Sequence, residues 1–185
     1  MARRSITALI ATLLPVSLGA TVLVPADFRE VVNGADLIVY ARVSSTEARW
    51  SDDRRHVDTL VTLQAGTYLK GSPRETLVVA VPGGTIGRYM NVTVGAPSLT
   101  VGDEAVFFLT IRGSDLPAIF GLNQGVFRVS IERASRRRIV TPPVMSRGGG
   151  PEAVVRGDPA RRPVPLETFG AQVQSVLAET GRAPR

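Results

Sequence analysis

The chain has 185 residues, 44% of them hydrophobic, with no cysteine, one histidine and a formal charge of +6. The absence of cysteine excludes disulfides, thiolate catalysis, iron–sulfur clusters and cysteine-based zinc sites. The charge is uneven: Arg3 and Arg4 contribute +2, residues 21–132 carry ten bases and twelve acids, and residues 133–185 carry ten arginines and four acids. A near-neutral body with a basic tail is not the footprint of a nucleic-acid-binding domain, and the tail reads as a solvated linker rather than a basic patch.

Residues 1–20 have the order of a secretory signal peptide. Arg3 and Arg4 precede an uncharged apolar run, Ile6 to Leu18, and Ser17 and Gly19 form a small-x-small cleavage pair, with cleavage after Ala20 as an alternative. The run is shorter than the roughly 20 residues of a membrane-spanning helix. The expectation is export to the periplasm or the medium, with no stable membrane anchor in the mature chain.

The next segment, residues 21–141, reads as a β domain. Phe28, Val31 and Val32 at helical spacing, stopped by Asn33-Gly34, predict a short helix. From Leu37 the period changes to two, with Leu37, Val39, Ala41 and Val43 alternating along a long strand towards Trp50. After the polar stretch Ser51 to Arg55 a second long strand carries Val57, Val61 and Leu63 on one face and Leu60 and Tyr68 on the other, so the pair is a predicted hairpin. Lys70 falls in the closing turn, where solvation is expected. Leu77, Val79 and Val81 make a third strand ending at Pro82-Gly83-Gly84, and a weaker strand spans Arg88 to Val94. Ala105 to Ile111 is apolar on both faces, as in a central strand buried on both sides. Ile119 to Leu122, Val126 to Ile131 and an edge strand from Arg138 to Thr141 complete the predicted strands.

Residues 142–165 hold six prolines and four glycines and form a predicted linker. Leu166, Phe169, Val173, Val176 and Leu177 then recur with the spacing of an amphipathic helix over residues 166–180. The expected fold is all-β, a small OB-like β-barrel (alternatively a β-sandwich), with a short N-terminal helix and a tethered C-terminal amphipathic helix.

The runs "IVYARV", "VTLQAGTYLKG", "ETLVVAVPGG" and "VGDEAVFFL" resemble, in that order, the strands of netrin-like or inhibitor-type OB domains. With "GLNQGVFRV" included, residues 38–129 are also similar to exported bacterial proteins of uncharacterised role. The resemblance implies an OB-like barrel and, by analogy of fold, extracellular protease inhibition. Two departures stand against that analogy. Residues 82–103 lack the helix such folds carry between their third and fourth strands, and the cysteine N-terminus of netrin-like metalloprotease inhibitors has no counterpart here.

The densest polar cluster is Asp52, Asp53, His56 and Asp58. A histidine with carboxylates is a metal-ligand set in principle, and a metal-dependent hydrolase centred on His56 and Asp58 is one reading. Arg54 and Arg55 oppose a cation there, so a charged hairpin tip is the plainer reading. No serine lies in a nucleophile elbow, and any Ser-His-Asp set must use His56. Gly83, Gly84 and Gly87 are followed by strand rather than helix, which suits a glycine corner and not a phosphate cradle. Trp50 either lids the barrel or forms a contact for a partner with Arg49 and Arg54. The expectation is thus an exported, non-enzymatic domain without cofactor that binds an unidentified protein.

Overall fold

The computed structural model describes residues 25–113, 116–143 and 162–182. The segment expected to be a signal peptide and most of the Pro/Gly-rich segment lie outside the described residues. The elements run α1 (Phe28–Gly34), β1 (Leu37–Trp50), β2 (Val57–Lys70), β3 (Thr76–Pro82), β4 (Gly84–Ile86), β5 (Tyr89–Asn91), β6 (Glu104–Thr110), β7 (Ala118–Ile119), β8 (Val126–Ile131), β9 (Arg138–Thr141), β10 (Val164–Pro165) and α2 (Leu166–Arg182).

Strands β1-β2-β3-β7-β6 close on themselves through a β1–β6 pairing, with β3 and β7 parallel and the other neighbours antiparallel. This is the five-stranded OB-like barrel expected from the sequence. Along the free side of β6 the sheet continues through β8, β9 and β10. Strands β7 and β8 share one edge of β6: Ile119 lies opposite Leu109 and Val126 opposite Phe107. Between them the chain loops out through a 3-10 turn, Leu122–Gly125, where the sequence suggested that the strand from Ile119 ran on to Leu122. Gly125 packs so tightly there that a Cβ would meet the carbonyl oxygens of Phe108 and Phe120 at 2.7 and 2.8 Å.

The centre of the molecule is β6. All five residues from Ala105 to Leu109 are buried. Successive side chains of a strand leave opposite faces, so β6 feeds two cores. Ala105, Phe107 and Leu109 pack inside the barrel with Val39, Val61, Leu63 and Val79. Val106 and Phe108 pack outward with Ile38, Phe127 and Val140, beneath both helices. Phe28 from α1 and Phe169 from α2 meet Phe108 and Phe127 in a four-ring cluster with centroids 5.1–6.3 Å apart. The amphipathic helix therefore docks on the domain through Phe169 and Val173, and no helix among the described residues is long and apolar enough to cross a membrane.

The structure departs from the sequence expectations at the bulges of the long hairpin, at Lys70 and at β9. Register shifts at Ser44, Gly66 and Leu69 are β-bulges, each of which reverses the facing of the residues beyond it. After Gly66 the alternation turns over, and Tyr68 faces the barrel interior with Leu63 rather than the opposite side. Lys70 is not a solvated turn residue. Its ammonium donates to the carbonyls of Val32, Asn33 and Ala35 at 3.1, 3.2 and 2.5 Å. It thereby caps the negative C-terminal end of α1, whose N-terminus is closed by an Asp27/Glu30 capping box. Strand β9 is not the sheet edge, because Val164 and Pro165 of β10 pair with Val140 and Ile139.

Removing the Phe169 ring leaves a void in the four-ring cluster. Phe169→Ala is expected to destabilise the protein by about 3–5 kcal/mol, read from the midpoint of urea unfolding followed by circular dichroism. A loss below about 1 kcal/mol would mean that α2 contributes little to the second core.

Candidate functional site

The long hairpin of β1 and β2 projects past the barrel, and a second, short hairpin covers its inner face. This is β4–β5, whose pairs run from Gly84↔Asn91 to Ile86↔Tyr89. It is fixed to β2 by the Gly83 N–H donating to the Val57 carbonyl (2.9 Å) and by the Thr59 hydroxyl donating to the Gly83 carbonyl (2.7 Å). The approach is close enough to need glycine: a Cβ on Gly84 would lie 2.7 Å from Thr59 Oγ1 and 3.1 Å from Val57 Cγ1.

The bulge at Ser44 decides which side chains of β1 meet this hairpin. Thr46 pairs with Val61, Ala48 with Thr59 and Trp50 with Val57, so these residues share the inner face. Trp50 packs edge-to-face on Tyr89, with centroids 5.5 Å apart, and the Arg88 guanidinium lies 5.9 Å from the centre of the same Tyr89 ring. Trp50 is thus no lid over the barrel; it stands at the rim. Beside the pair, Met90, Val92 and Val94 are 72%, 71% and 91% exposed. The short hairpin and the segment after it thus carry exposed large apolar side chains, Tyr89 on the side of Trp50 and Met90 and Val92 on the groove, with Arg88 beside Tyr89. A groove of about 350 Å³ separates the short hairpin from the loop after it, lined among others by Val61, Val81, Met90, Thr93 and Leu99.

The far wall of the groove is held by Asp103. Its carboxylate accepts from the Thr100 N–H at 3.0 Å and pairs with Arg128 at 3.1 Å, and Arg128 also donates to the Ser98 carbonyl at 2.5 Å. Burial works against the charge on Asp103, but the Thr100 and Arg128 donors outweigh it and hold the carboxyl below its ordinary pKa.

On the outer face of the sheet Tyr40 donates to Glu104, and Arg138 lies 3.6 Å from Glu104 and 5.9 Å from the centre of the Tyr40 ring. Burial, and then the Glu104 carboxylate, push the Tyr40 phenol up. Glu104 is therefore an acceptor at the start of the central strand.

The sequence-derived polar cluster is found at the tip of the long hairpin. His56 is bracketed: Nε2 lies 3.3 Å from Asp58 Oδ2 and Nδ1 4.0 Å from Asp53 Oδ1. The two carboxylates thus sit on opposite edges of the ring rather than around one centre. Asp53 is also held by the Ser51 hydroxyl and the Arg55 N–H, in that order of weight, which lower its pKa. Asp52 lies exposed on the turn. Among the described residues no three histidines or acids are placed to hold a metal ion. Arg49 pairs with Asp58 and leaves the opposite face of β1 from Trp50, while Arg54 sits at the tip with a left-handed backbone (φ 55°). The structure does not gather Trp50, Arg49 and Arg54 into one surface. It joins Trp50 to Tyr89, and through that ring to Arg88, while Met90 and Val92 line the neighbouring groove. The alternation Thr85-Ile86, a Gly87-Arg88 turn and Tyr89-Met90 is the hairpin signal that would have found them.

Compared with known proteins, the chain matches no family model and no curated protein.

The Asp103 carboxylate contributes stability that is complete above the ordinary carboxylate pKa and is lost as pH falls through its lower folded-state value. Asp103→Asn is therefore expected to melt below the wild type at neutral pH, with the two melting temperatures converging on acidification. A gap independent of pH between neutrality and strong acid would show that the Asp103 charge contributes nothing.

Proposed function

We propose that this protein works outside the cytoplasm as a non-enzymatic module that binds another protein through the barrel rim. The observation that carries the reading is the set Trp50, Tyr89, Met90, Val92 and Val94, which leaves large apolar side chains in water beside a groove. Large apolar side chains left in water on two adjoining hairpins beside a groove are characteristic of an interaction site. Their composition fits as well, since tryptophan, tyrosine, methionine and arginine are the types enriched in protein interfaces. The patch rests on two hairpins that hydrogen-bond to each other, so its shape is set before any partner arrives, which lowers the ordering cost of binding. Export is supported by the charged, apolar and small-residue order of residues 1–20.

Two experiments test these claims separately. The tagged protein is incubated with an envelope fraction, alongside a Trp50→Ala Met90→Asp variant with an unchanged melting temperature. Wild type is expected to retain a partner that the variant releases. Equal retention by both, or retention by neither, overturns the rim as the binding site. For export, residues 1–30 fused to a reporter that matures only outside the cytoplasm are expected to give activity. Activity should vanish when a pair of aspartates interrupts the apolar run, and an inactive wild-type fusion would sink the assignment.

A further inference from the structure

A second surface, at the β9–β10 end of the eight-stranded sheet, has the opposite character. We propose that the cleft between β9 and the start of α2 is a binding site for a phosphate group. Arg136, Arg137 and Arg138 line this cleft of about 240 Å³ together with Pro165, Leu166 and Glu167. Arg136 and Arg137 precede β9, and Arg138 is its first residue. Here the left-handed backbone of Arg136 (φ 58°) turns the chain into β9 and brings all three to one cleft.

Only Arg138 among them is engaged, by Glu104 at 3.6 Å and by the Tyr40 ring. That engagement fixes the third guanidinium in place. Arg136 and Arg137 are in no ion pair among the described residues, and both are exposed. Pairing of β10 with β9 sets the first turn of α2 against the same cleft. The positive end of the α2 dipole adds to the charge of the arginines. Glu167 is the one acid lining the cleft, so the site is net cationic. Guanidinium groups bind phosphate through paired, charge-assisted hydrogen bonds that an ammonium cannot match. The location agrees with the charge distribution, because the positive excess of the chain begins at Arg133.

The phosphate can come free in solution or on a lipid headgroup, and two arms separate these sources. In the first, amide resonances of the full mature chain are followed during titration with inorganic phosphate. In the second, the protein is sedimented with vesicles of phosphatidylcholine alone or mixed with phosphatidylglycerol. Saturable shifts at residues 136–138 and 166–169, or sedimentation only with the anionic vesicles, are expected for wild type. Arg136→Ala and Arg137→Ala should each weaken vesicle binding about fivefold, and Glu167→Gln should strengthen binding in whichever arm is positive. Shifts without sedimentation assign a free phosphate, and sedimentation, with or without shifts, assigns a headgroup. The proposal is overturned if neither arm responds, or if the arginine variants, still folded by their amide spectra, bind as wild type does.

Discussion

Five consecutive apolar residues in the central strand, Ala105 to Leu109, set the terms for the rest of the molecule. A strand with no polar face has to be covered on both sides, and hydrophobic burial is the dominant favourable term in folding. The barrel covers the side of Phe107. The side of Phe108 is covered by two helices that are far apart in sequence, α1 before the sheet and α2 after a long Pro/Gly-rich stretch. The domain is closed on its outer face only when Phe169 and Val173 return to it.

Given that constraint, irregularities in the long hairpin decide what the surface presents. A β-bulge adds one residue to one strand and turns over the facing of everything beyond it. Without the shift at Ser44, continuing the alternation of Val39, Ala41 and Val43 would bring Arg49 to the inner face and send Trp50 outward. With it, Trp50 lies beside Val57 and meets Tyr89. The shift at Gly66 likewise draws Tyr68 into the barrel. The apolar rim is thus a product of register, and the short hairpin completes it by laying Gly84 directly against Thr59 and Val57.

Polar groups act mainly as fasteners in this cysteine-free fold. Lys70, the only lysine in the chain, ties the end of β2 to the carbonyls that close α1. Asp103 and Arg128 pin the loop that walls the rim groove, and Glu104 receives Tyr40 and holds Arg138 on the far face. None of these partners is near in sequence, so each reports an arrangement of strands rather than a local preference. The apolar rim and the arginine cleft are correspondingly distinct surfaces: the first is built on the long hairpin and the separate β4–β5 sheet, the second on β9, β10 and α2 at the far end of the main sheet.

By itself, the sequence determined the elements whose cause is local. Alternating Leu37 to Val43, the two-faced apolar run at residues 105–109, the Asn33-Gly34 stop of the first helix and the 3, 4 and 7 spacing of Leu166 to Leu177 each carry their own periodicity or turn chemistry. They pointed to an all-β fold with two helices, a small barrel or alternatively a sandwich, and the β1–β6 pairing closes it as a barrel. Tertiary structure alone decided the facing of Trp50 and Tyr68, the capping role of Lys70, the docking of α2 and the company Trp50 keeps. Each of these depends on a bulge or on a contact between distant segments, and a bulge at Ser44 or Gly66 leaves no mark in the alternation until the partner strand is in place.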